Sequence, residues 1–278
     1  MKIAIIGSGF FGLTLGLFLS KKNEVHIFEK EKKVLNGASS ANQFRFHLGY
    51  HYPRSQKTVT KINKSKNLFT DYFGRKIFQK TLNYYLIAKG SKVNFKRYRK
   101  FLKKNKLYNK ILNNFISSKK INKTILTNEK ILNYFRFKKL ILKKIKYSKL
   151  KLRLNSEFKK SYLKNYDKVL LTTYANNNKI LKKIGIKRLD NFKFELVEKI
   201  VIKLPKQFHN KSFVVIDGKF VCVDPYLGTK YHLLSDVKLS KLETIVGKFP
   251  IFKNKNKKFL NKGIIKNKRI SRFDDFIE

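Results

Sequence analysis

The sequence predicts an α/β protein whose parallel sheet starts with the first residues of the chain. Lys2–Ile6 is a short apolar run typical of a buried strand, and glycines at residues 7, 9 and 12 follow it. Phe10–Lys21 continues as an apolar helix, and Val25–Phe28 is rich in strand-forming residues. Strand, glycine turn, helix and strand in this order predict a βαβ unit, from which doubly wound sheets are built.

Length and composition bound the classes of protein to consider. The chain has 278 residues, enough for one large domain or two small ones, and no internal repeat or clear linker divides it. Hydrophobic residues make up 42% and aromatic residues 14%, which excludes global disorder. The single cysteine, Cys222, excludes a disulfide framework and a cysteine-rich zinc module, and we expect a reducing, cytoplasmic compartment.

The net charge raises the question of a nucleic-acid partner. Lys and Arg number 66 against 17 Asp and Glu, a formal charge of +49. Lysines interleaved with aromatics, as in residues 96–101, are typical of single-strand binders. The lysines are spread along the whole chain, however, together with much Asn, Ile, Phe and Tyr, as an AT-rich coding sequence would produce. A compositional origin is favoured, and we expect no specific nucleic-acid partner.

The apolar N-terminal run has two alternative explanations. Ile3–Leu19 resembles the apolar region of a signal peptide or a short membrane span in composition. The glycines within it, the lack of a following small-residue cleavage site and the strand at Val25–Phe28 argue against both. We expect no membrane span.

The glycine spacing predicts a dinucleotide-binding turn. Gly7 permits a sharp turn, Gly9 lets a pyrophosphate approach the backbone, and Gly12 lets the helix pack closely on the strand. The helix N-terminus offers free N–H groups and a positive dipole end to phosphate. Glu29, at the end of the second strand, has the position of the acid that accepts ribose hydroxyls. The alternative is the same unit without a ligand.

The next segment favours FAD over NAD. Residues 37–42, Gly-Ala-Ser-Ser-Ala-Asn, follow a short connector after Glu29. This segment resembles the second flavin-binding segment of the D-amino-acid oxidase and glycine oxidase-like FAD oxidoreductases. In both, an acid is followed by a short loop and then by Gly-Ala-Ser with a nearby Asn. It differs from the monoamine oxidase-like group, in which a Gly-Gly-Arg element follows the acid.

The resemblance continues through residues 43–54. His-Leu-Gly-Tyr-His-Tyr-Pro at residues 47–53 is similar to a subgroup of uncharacterised FAD-dependent oxidoreductases. In that family this part of the chain passes the flavin ring, which implies that Arg45, His47, His51 and Tyr52 lie near flavin or substrate. Arg45 would clamp a carboxylate, and a histidine would hold a proton. The alternative for each histidine is a packed, hydrogen-bonded side chain. A metal pair at His47 and His51 is conceivable, but the sequence offers no evident third ligand.

The remaining segments support the same architecture. Helices are predicted at residues 58–73, 93–104 and 131–145, and strands at 83–88, 150–154, 192–204 and 212–223, the last with a hairpin turn at Asp217-Gly218. Residues 166–176 form a strand and loop similar to the family's dinucleotide-contacting strand, with Thr172-Thr173 in place of Ala-Thr. Tyr226, Tyr231 and His232 are weaker candidates for the substrate site.

The resemblance implies an α/β fold in which a Rossmann-like FAD-binding domain is interleaved with an antiparallel-sheet substrate domain. Residues 1–75 and 120–190, with 237–278 as an optional part, are expected in the FAD domain, and residues 76–119 and 191–236 in the substrate domain. The expected catalytic residues are Arg45, His47 and His51. The expected cofactor-binding residues are Gly7, Gly9, Phe10, Phe11, Gly12, Glu29, Lys30, Ala38, Ser39, Asn42 and Thr173.

The expected reaction is hydride transfer from a small amine, amino acid or sugar-linked substrate to FAD. Residues 237–278 lack the late flavin-contact motif of the family, and residues 272–278 resemble the start of a helix. Either the chain is short relative to its relatives or it closes the site in another way. A non-catalytic dinucleotide-binding protein, an NAD-dependent enzyme and a nucleic-acid binder remain the alternatives, and the oligomeric state stays open.

Overall fold

The fold is described from a computed structural model. It covers residues 1–113, 115–116, 118–217, 221–260, 263–265 and 271–276. The helices in these ranges are α1 (Phe10–Leu19), α2 (Gln56–Phe73), α3 (Phe95–Lys104), α4 (Tyr134–Lys146), α5 (Asn177–Lys183) and α6 (Asn254–Lys257). The strands are β1 (Lys2–Ile6), β2 (Glu24–Phe28), β3 (Arg45–Phe46), β4 (Phe78–Gln79), β5 (Leu82–Ala88), β6 (Asn109–Leu112), β7 (Ile121–Thr127), β8 (Lys130–Leu132), β9 (Lys151–Arg153), β10 (Lys168–Leu171), β11 (Phe192–Val197), β12 (Ile200–Ile202), β13 (Lys211–Ile216), β14 (Cys222–Pro225), β15 (His232–Ser235) and β16 (Lys241–Gly247).

The chain divides into two compact units, each built from separate segments. Unit 1 comprises residues 1–42, 138–197 and 241–270, and unit 2 comprises residues 43–137, 198–240 and 271–278, both within the described ranges. Residues 43–75 and 120–137, which the sequence-based division assigned to the cofactor domain, fall in unit 2. The functional assignment of the domains stays a prediction.

Unit 1 contains the parallel sheet, with strand order β10-β1-β2-β9. β1 pairs with β2 from Lys2 opposite Glu24 to Ile6 opposite Phe28, and β10 and β9 extend the sheet on either side. The central strands are buried on both faces, which explains why β1 is apolar from Ile3 to Ile6 and why β2 has only one polar side chain, His26, between Val25 and Phe28. One face packs on Phe158 and Ile184, and α1 covers the other through Leu13 and Leu17. A separate antiparallel pair, β11-β16, completes the sheets of this unit.

Unit 2 contains a larger, mainly antiparallel sheet. Its seven strands run in the order β12-β15-β14-β13-β5-β7-β6, and only the β13–β5 pair is parallel. A small sheet of order β3-β8-β4 accompanies it. The core lies between the large sheet and α3, where Tyr50, Tyr85 and Tyr98 are fully buried. The expected combination of a parallel-sheet unit and a mainly antiparallel unit is therefore confirmed.

Two local predictions need correction, and a third is confirmed for the strand pairing only. Residues 192–204 form two strands in different sheets, not one, because the chain leaves β11 at Val197 and enters unit 2 as β12. The helix predicted at 131–145 begins at Tyr134, since Ile131 pairs with Arg45 in the small sheet. β13 and β14 pair as predicted on either side of the expected hairpin turn, but Gly218 lies outside the described residues.

The chain's ends and apolar segments add two observations. Asp274–Phe276 form a single 3₁₀ turn, and residues 277–278 of the expected helix lie outside the described ranges. Within the described residues, the longest apolar helices fall short of what crossing a bilayer requires.

Candidate functional site

The glycine turn of unit 1 is held by backbone and by Thr172. Gly7 has a φ of +102°, which L side chains rarely adopt, and its N–H donates to Phe28 O at 2.8 Å. A Cβ at Gly12 would lie 2.0 Å from Gly7 O and 2.6 Å from Thr172 Oγ1. The Thr172 hydroxyl itself donates to Ile6 O at 2.9 Å and Gly7 O at 3.0 Å. The turn and α1 are thus packed as tightly as a dinucleotide-binding turn requires.

The N-terminus of α1 carries no acid that would compete with a phosphate. Gly9 is the N-cap and supplies no side-chain cap, and the first turn contains Phe10 and Phe11 without any acidic residue. Phe10 N donates to Ser39 Oγ at 2.9 Å, so the predicted second segment reaches this helix end. A Cβ at Gly9 would lie 3.3 Å from the same Ser39 Oγ. The positive end of the helix dipole and the backbone N–H groups make the N-terminus of α1 suited to an anion.

Glu29 lies beside the glycine turn, at the carboxyl end of β2. Its Oε2 accepts from both the backbone N–H and the hydroxyl of Ser8, each at 2.8 Å. Its Oε1 accepts from Glu31 N at 2.9 Å. A carboxylate has about four lone-pair positions, so one position on Oε1 is left for a further donor. The carboxylate is therefore fixed in orientation and still able to accept a hydroxyl.

The other predicted cofactor residues of unit 1 occupy different settings. Ala38 and Ser39 lie in a 3₁₀ turn, and Asn42 Nδ2 donates back to Ala38 O at 3.3 Å. Lys30 is exposed, 3.6 Å from a carboxylate oxygen of Glu31. The N–H and hydroxyl of Thr173 both donate to Asn177 Oδ1, at 3.1 and 2.8 Å. Its neighbour Thr172, which the sequence analysis did not select, makes the contacts with the turn.

The predicted catalytic residues converge in unit 2 on a carboxylate that the sequence did not single out. Glu129 is fully buried and accepts from Arg45 Nη2 at 2.8 Å and from Leu48 N at 3.0 Å. The Tyr85 hydroxyl donates to the same carboxylate. His47 Nδ1 lies 3.4 Å from Glu129 Oε1. Burial opposes ionisation of Glu129, but Arg45 and His47 outweigh it and hold its pKa below the usual value.

Arg45 has a second buried carboxylate partner. Its Nη1 donates to Asp224 Oδ1 and to Ser212 Oγ, the latter at 2.6 Å, and its side chain is 3% exposed. Burial raises the pKa of Asp224 despite this pairing. The clamp role expected for Arg45 stays a prediction, and the geometry argues against it because the guanidinium already binds two carboxylates of its own chain.

His47 and His51 form an adjacent ring pair. Their centroids lie 5.3 Å apart, and the His47 side chain is 31% exposed. Burial, with a smaller contribution from His47, lowers the pKa of His51 to about 4. At neutral pH His51 is therefore uncharged. Among the described residues there is no cluster of three or more His, Cys, Asp or Glu side chains that could hold a metal.

The weaker candidates lie outside this cluster. Tyr226 stacks on Phe44 with centroids 5.8 Å apart, and His232 Nε2 lies 2.9 Å from Phe208 O. Tyr52, by contrast, packs edge-on against His47, with ring centroids 5.4 Å apart. Its expected place near flavin or substrate stays a prediction. The signal that would have identified Glu129 is its isolation: it is an acid within a lysine-rich segment, directly after a strand.

Comparisons with known proteins agree with this geometry. Residues 5–72 match a family described as an NAD(P)-binding Rossmann-like domain. FAD-dependent monooxygenase FPY4 of Fusarium mangiferae is 39% identical over 57 residues, which is 20% of this chain and 15% of that protein. The FAD-dependent monooxygenase kojA of Aspergillus flavus is 37% identical over 59 residues, 21% of this chain and 14% of its own. The chain thus aligns with only a small part of these curated relatives.

Solved structures resemble nearly the whole chain. Glycine oxidase from Geobacillus kaustophilus has a TM-score of 0.65 at 14% identity, covering 93% of this chain and 75% of its own. The chain has the glycine oxidase fold. L-proline dehydrogenase from P. horikoshii has a TM-score of 0.65 at 15% identity, and the match covers 92% of this chain and 74% of that chain. L-α-glycerophosphate oxidase from Mycoplasma pneumoniae, solved with FAD bound, has a TM-score of 0.61 at 17% identity. The match covers 88% of this chain and 72% of that chain. The resemblance inferred from residues 1–54 is confirmed for the fold.

Proposed function

We propose that the chain is an FAD-dependent oxidoreductase, in which unit 1 binds the cofactor and unit 2 serves the substrate. The observation that carries the proposal is the carboxylate of Glu29, fixed by Ser8 beside an anion-accepting helix end. This pair of features suits the ribose and diphosphate of an adenine dinucleotide. FAD relatives and the glycine oxidase fold favour FAD over NAD.

The chain's own residues fit the adenosine diphosphate half of FAD. Gly9 leaves open backbone that a Cβ would fill against Ser39. Glu29 Oε1 would accept a ribose hydroxyl, and the N–H groups at the start of α1 would bind phosphate oxygens. Phe10, Phe11, Lys30, Ala38, Asn42 and Thr173 remain proposed neighbours of the cofactor.

Bound FAD supplies a two-electron acceptor for the hydride that leaves a substrate carbon. The matching proton leaves the adjacent nitrogen or oxygen, and we assign it to His47, so that the substrate departs with a C=N or C=O bond. Glu129 would hold the Nδ1 side of the His47 ring, 3.4 Å away, and leave Nε2 to accept the proton. Small amines, amino acids and related sugar-linked compounds are the proposed substrates.

Cofactor binding is tested with two variants and one control. Glu29→Gln removes a charged acceptor, whose hydrogen bonds contribute about 1.5–3 kcal/mol, so FAD affinity should fall roughly 10- to 100-fold. Gly9→Ala should weaken FAD through its Cβ. Gly16→Ala is the control, because its Cβ would meet Ile27 Cδ1 at 2.7 Å in the core and not the phosphate end. It should lower Tm with little change in FAD affinity.

Affinity is measured by flavin fluorescence on titrating the apo chain, with NAD⁺ and NADP⁺ as competitors. Unchanged FAD affinity in Glu29→Gln and Gly9→Ala would contradict the proposed cradle. Tighter binding of NAD⁺ than FAD would support the NAD-dependent alternative instead.

Catalysis is tested separately by oxygen consumption and by anaerobic bleaching of bound flavin with a panel of amines and amino acids. His47→Gln should lower the rate of bleaching while FAD stays bound. FAD binding with no bleaching by any compound of the panel would favour the non-catalytic dinucleotide-binding protein.

A further inference from the structure

One side of α1 exposes large apolar side chains to solvent. Phe11 is 71% exposed, Leu15 39% and Phe18 61%, at spacings of four and three residues along one helix face. The opposite face carries Gly12, Leu13, Gly16 and Leu17, which are buried. An amphipathic surface helix would place polar residues on the outer face. The outer face of α1 is instead apolar, and the described part of the chain leaves it exposed.

The part of α4 that belongs to unit 1 continues this apolar surface. α1 connects β1 to β2, α4 leads into β9, and β9 lies next to β2 in the parallel sheet. Right-handed crossovers place both helices on the same side of the sheet. A Cβ at Gly16 would lie 3.2 Å from Leu150, just after α4, in agreement with this placement. Leu142 is 45% exposed, and Tyr147, directly after α4, is 74% exposed.

Lysines surround these side chains, and acids are lacking in both segments. Residues 10–22 and 138–151 contain no Asp or Glu, and residues 138–151 contain seven lysines. Lys139, Lys143, Lys146 and Lys149 are exposed. Lys21 Nζ lies 5.9 Å from the Phe18 ring and Lys146 Nζ 5.8 Å from the Tyr147 ring. We name this mixed surface the α1–α4 face: Leu15, Phe18, Leu142 and Tyr147 with the lysines of residues 21–22 and 139–149. Phe11, at the proposed phosphate end of the helix, is not part of it.

We propose that the α1–α4 face docks on an anionic lipid surface. Aromatic and aliphatic side chains enter the boundary between headgroups and acyl chains, while lysines beside them bind anionic headgroups. Both parts of that chemistry are present on one side of unit 1. The binding is peripheral, since it uses the side of a helix and not a membrane span.

Charge and side-chain type favour lipid over the other two occupants. A second copy would bring an equally basic face against this one, at a cost in repulsion. Single-stranded nucleic acid binds through aromatic stacking, whereas Leu15 and Leu142 are aliphatic and offer no ring for a base. Anionic lipid neutralises the lysines and also removes Leu15, Phe18 and Leu142 from water.

The test is co-sedimentation of the full chain with vesicles of phosphatidylcholine alone or with 30% phosphatidylglycerol, at low and high salt. Phe18→Ser should weaken binding to the anionic vesicles about tenfold, because the phenylalanine ring that is partly buried in the lipid no longer contributes its apolar area. Leu68→Ser, at a position 71% exposed on α2, is the matched apolar control and should change binding little.

Charge is tested with two matched double variants. Lys143→Glu/Lys146→Glu should weaken binding roughly 30-fold, because each lysine near an anionic surface contributes about a factor of five and the new acids add repulsion. Lys61→Glu/Lys64→Glu changes the net charge equally on exposed positions of α2 and should cost much less. All four positions are exposed, so circular dichroism should show an unchanged fold.

Several results would overturn the proposal. Equal losses in the two double variants would mean that net charge alone drives binding. Equal binding of Phe18→Ser and the wild type would remove the apolar contribution. Equal binding to neutral and anionic vesicles would remove the electrostatic contribution. A dimer that Phe18→Ser dissociates, or oligonucleotide binding lost in Lys143→Glu/Lys146→Glu without vesicle binding, would assign the face to self-association or to nucleic acid.

Discussion

Replacing Arg45 by Met tests the buried charge cluster of unit 2 most severely. The Arg45 side chain is 3% exposed, and those of Glu129 and Asp224 are fully buried. Methionine fills similar apolar volume but leaves both carboxylates without their cation. Removing one partner of a buried pair costs about 3–5 kcal/mol.

The two carboxylates should not contribute equally to that loss. Burial already raises the pKa of Asp224, so this group takes up a proton once Arg45 is gone. Glu129 retains the Leu48 N–H at 3.0 Å and the Tyr85 hydroxyl. We therefore expect a loss near one buried pair, about 3–5 kcal/mol, and not twice that value.

The expected loss depends on pH with a definite sign. Glu129 has a lowered pKa in the folded protein, so its contribution to stability is present above the ordinary value of 4.5 and lost as pH falls towards the folded pKa. The difference between wild type and Arg45→Met should accordingly be largest above pH 5 and shrink in acid.

The assay is urea unfolding followed by far-UV circular dichroism and tyrosine fluorescence at pH 7 and pH 4. Arg54→Met is the control, because Arg54 also binds a buried carboxylate, Asp217, from a side chain that is 53% exposed. Its loss should be much smaller. Equal losses for the two variants, or a loss for Arg45→Met below about 1 kcal/mol, would refute the reasoning.

Three further predictions concern other parts of the fold. Burial lowers the pKa of His51 from 6.5 to about 4, so the contribution of His51 to stability should fall by about 2–3 kcal/mol between pH 7.5 and 4.5. In urea unfolding, the free energy of unfolding of His51→Gln should fall clearly less over that pH range than that of the wild type. An equal fall would contradict the burial argument. Gly12→Ala should cost about 1–3 kcal/mol by overpacking and abolish FAD binding, because its Cβ would lie 2.0 Å from Gly7 O; retained Tm and affinity would contradict the close packing. Phe158→Ala, at a position 1% exposed and packed on Phe28, should cost about 3–5 kcal/mol in the same assay, and a loss under 1 kcal/mol would contradict its place in the core.

The first βαβ unit was predictable because each signal in it is local. The apolar run, the glycines and the acid at the strand end all act within about thirty residues, and the observed β1, α1 and β2 begin and end within two residues of the predicted bounds. Strand pairing between distant segments has no such local signal. The break between β11 and β12 and the strand β16 depend on pairing partners far along the chain.

The same limit applies to the candidate site. Arg45, His47 and His51 were chosen from one short segment, and the structure does place them together. Their common partner, Glu129, is 84 residues from Arg45 in sequence. Sequence spacing cannot show that a charged side chain is already paired inside the fold, which is why Arg45 resembled a substrate clamp.

The central claim, that unit 1 binds an adenine dinucleotide, is tested most directly by comparing FAD with FMN. FMN lacks the adenosine half that Glu29 and the start of α1 are proposed to hold. Titration of the apo chain, followed by flavin fluorescence, should give one FAD per chain, affinity at least about 100-fold above FMN, and displacement of FAD by ADP. Equal affinity for FAD and FMN, or a chain that takes up neither, would contradict the account.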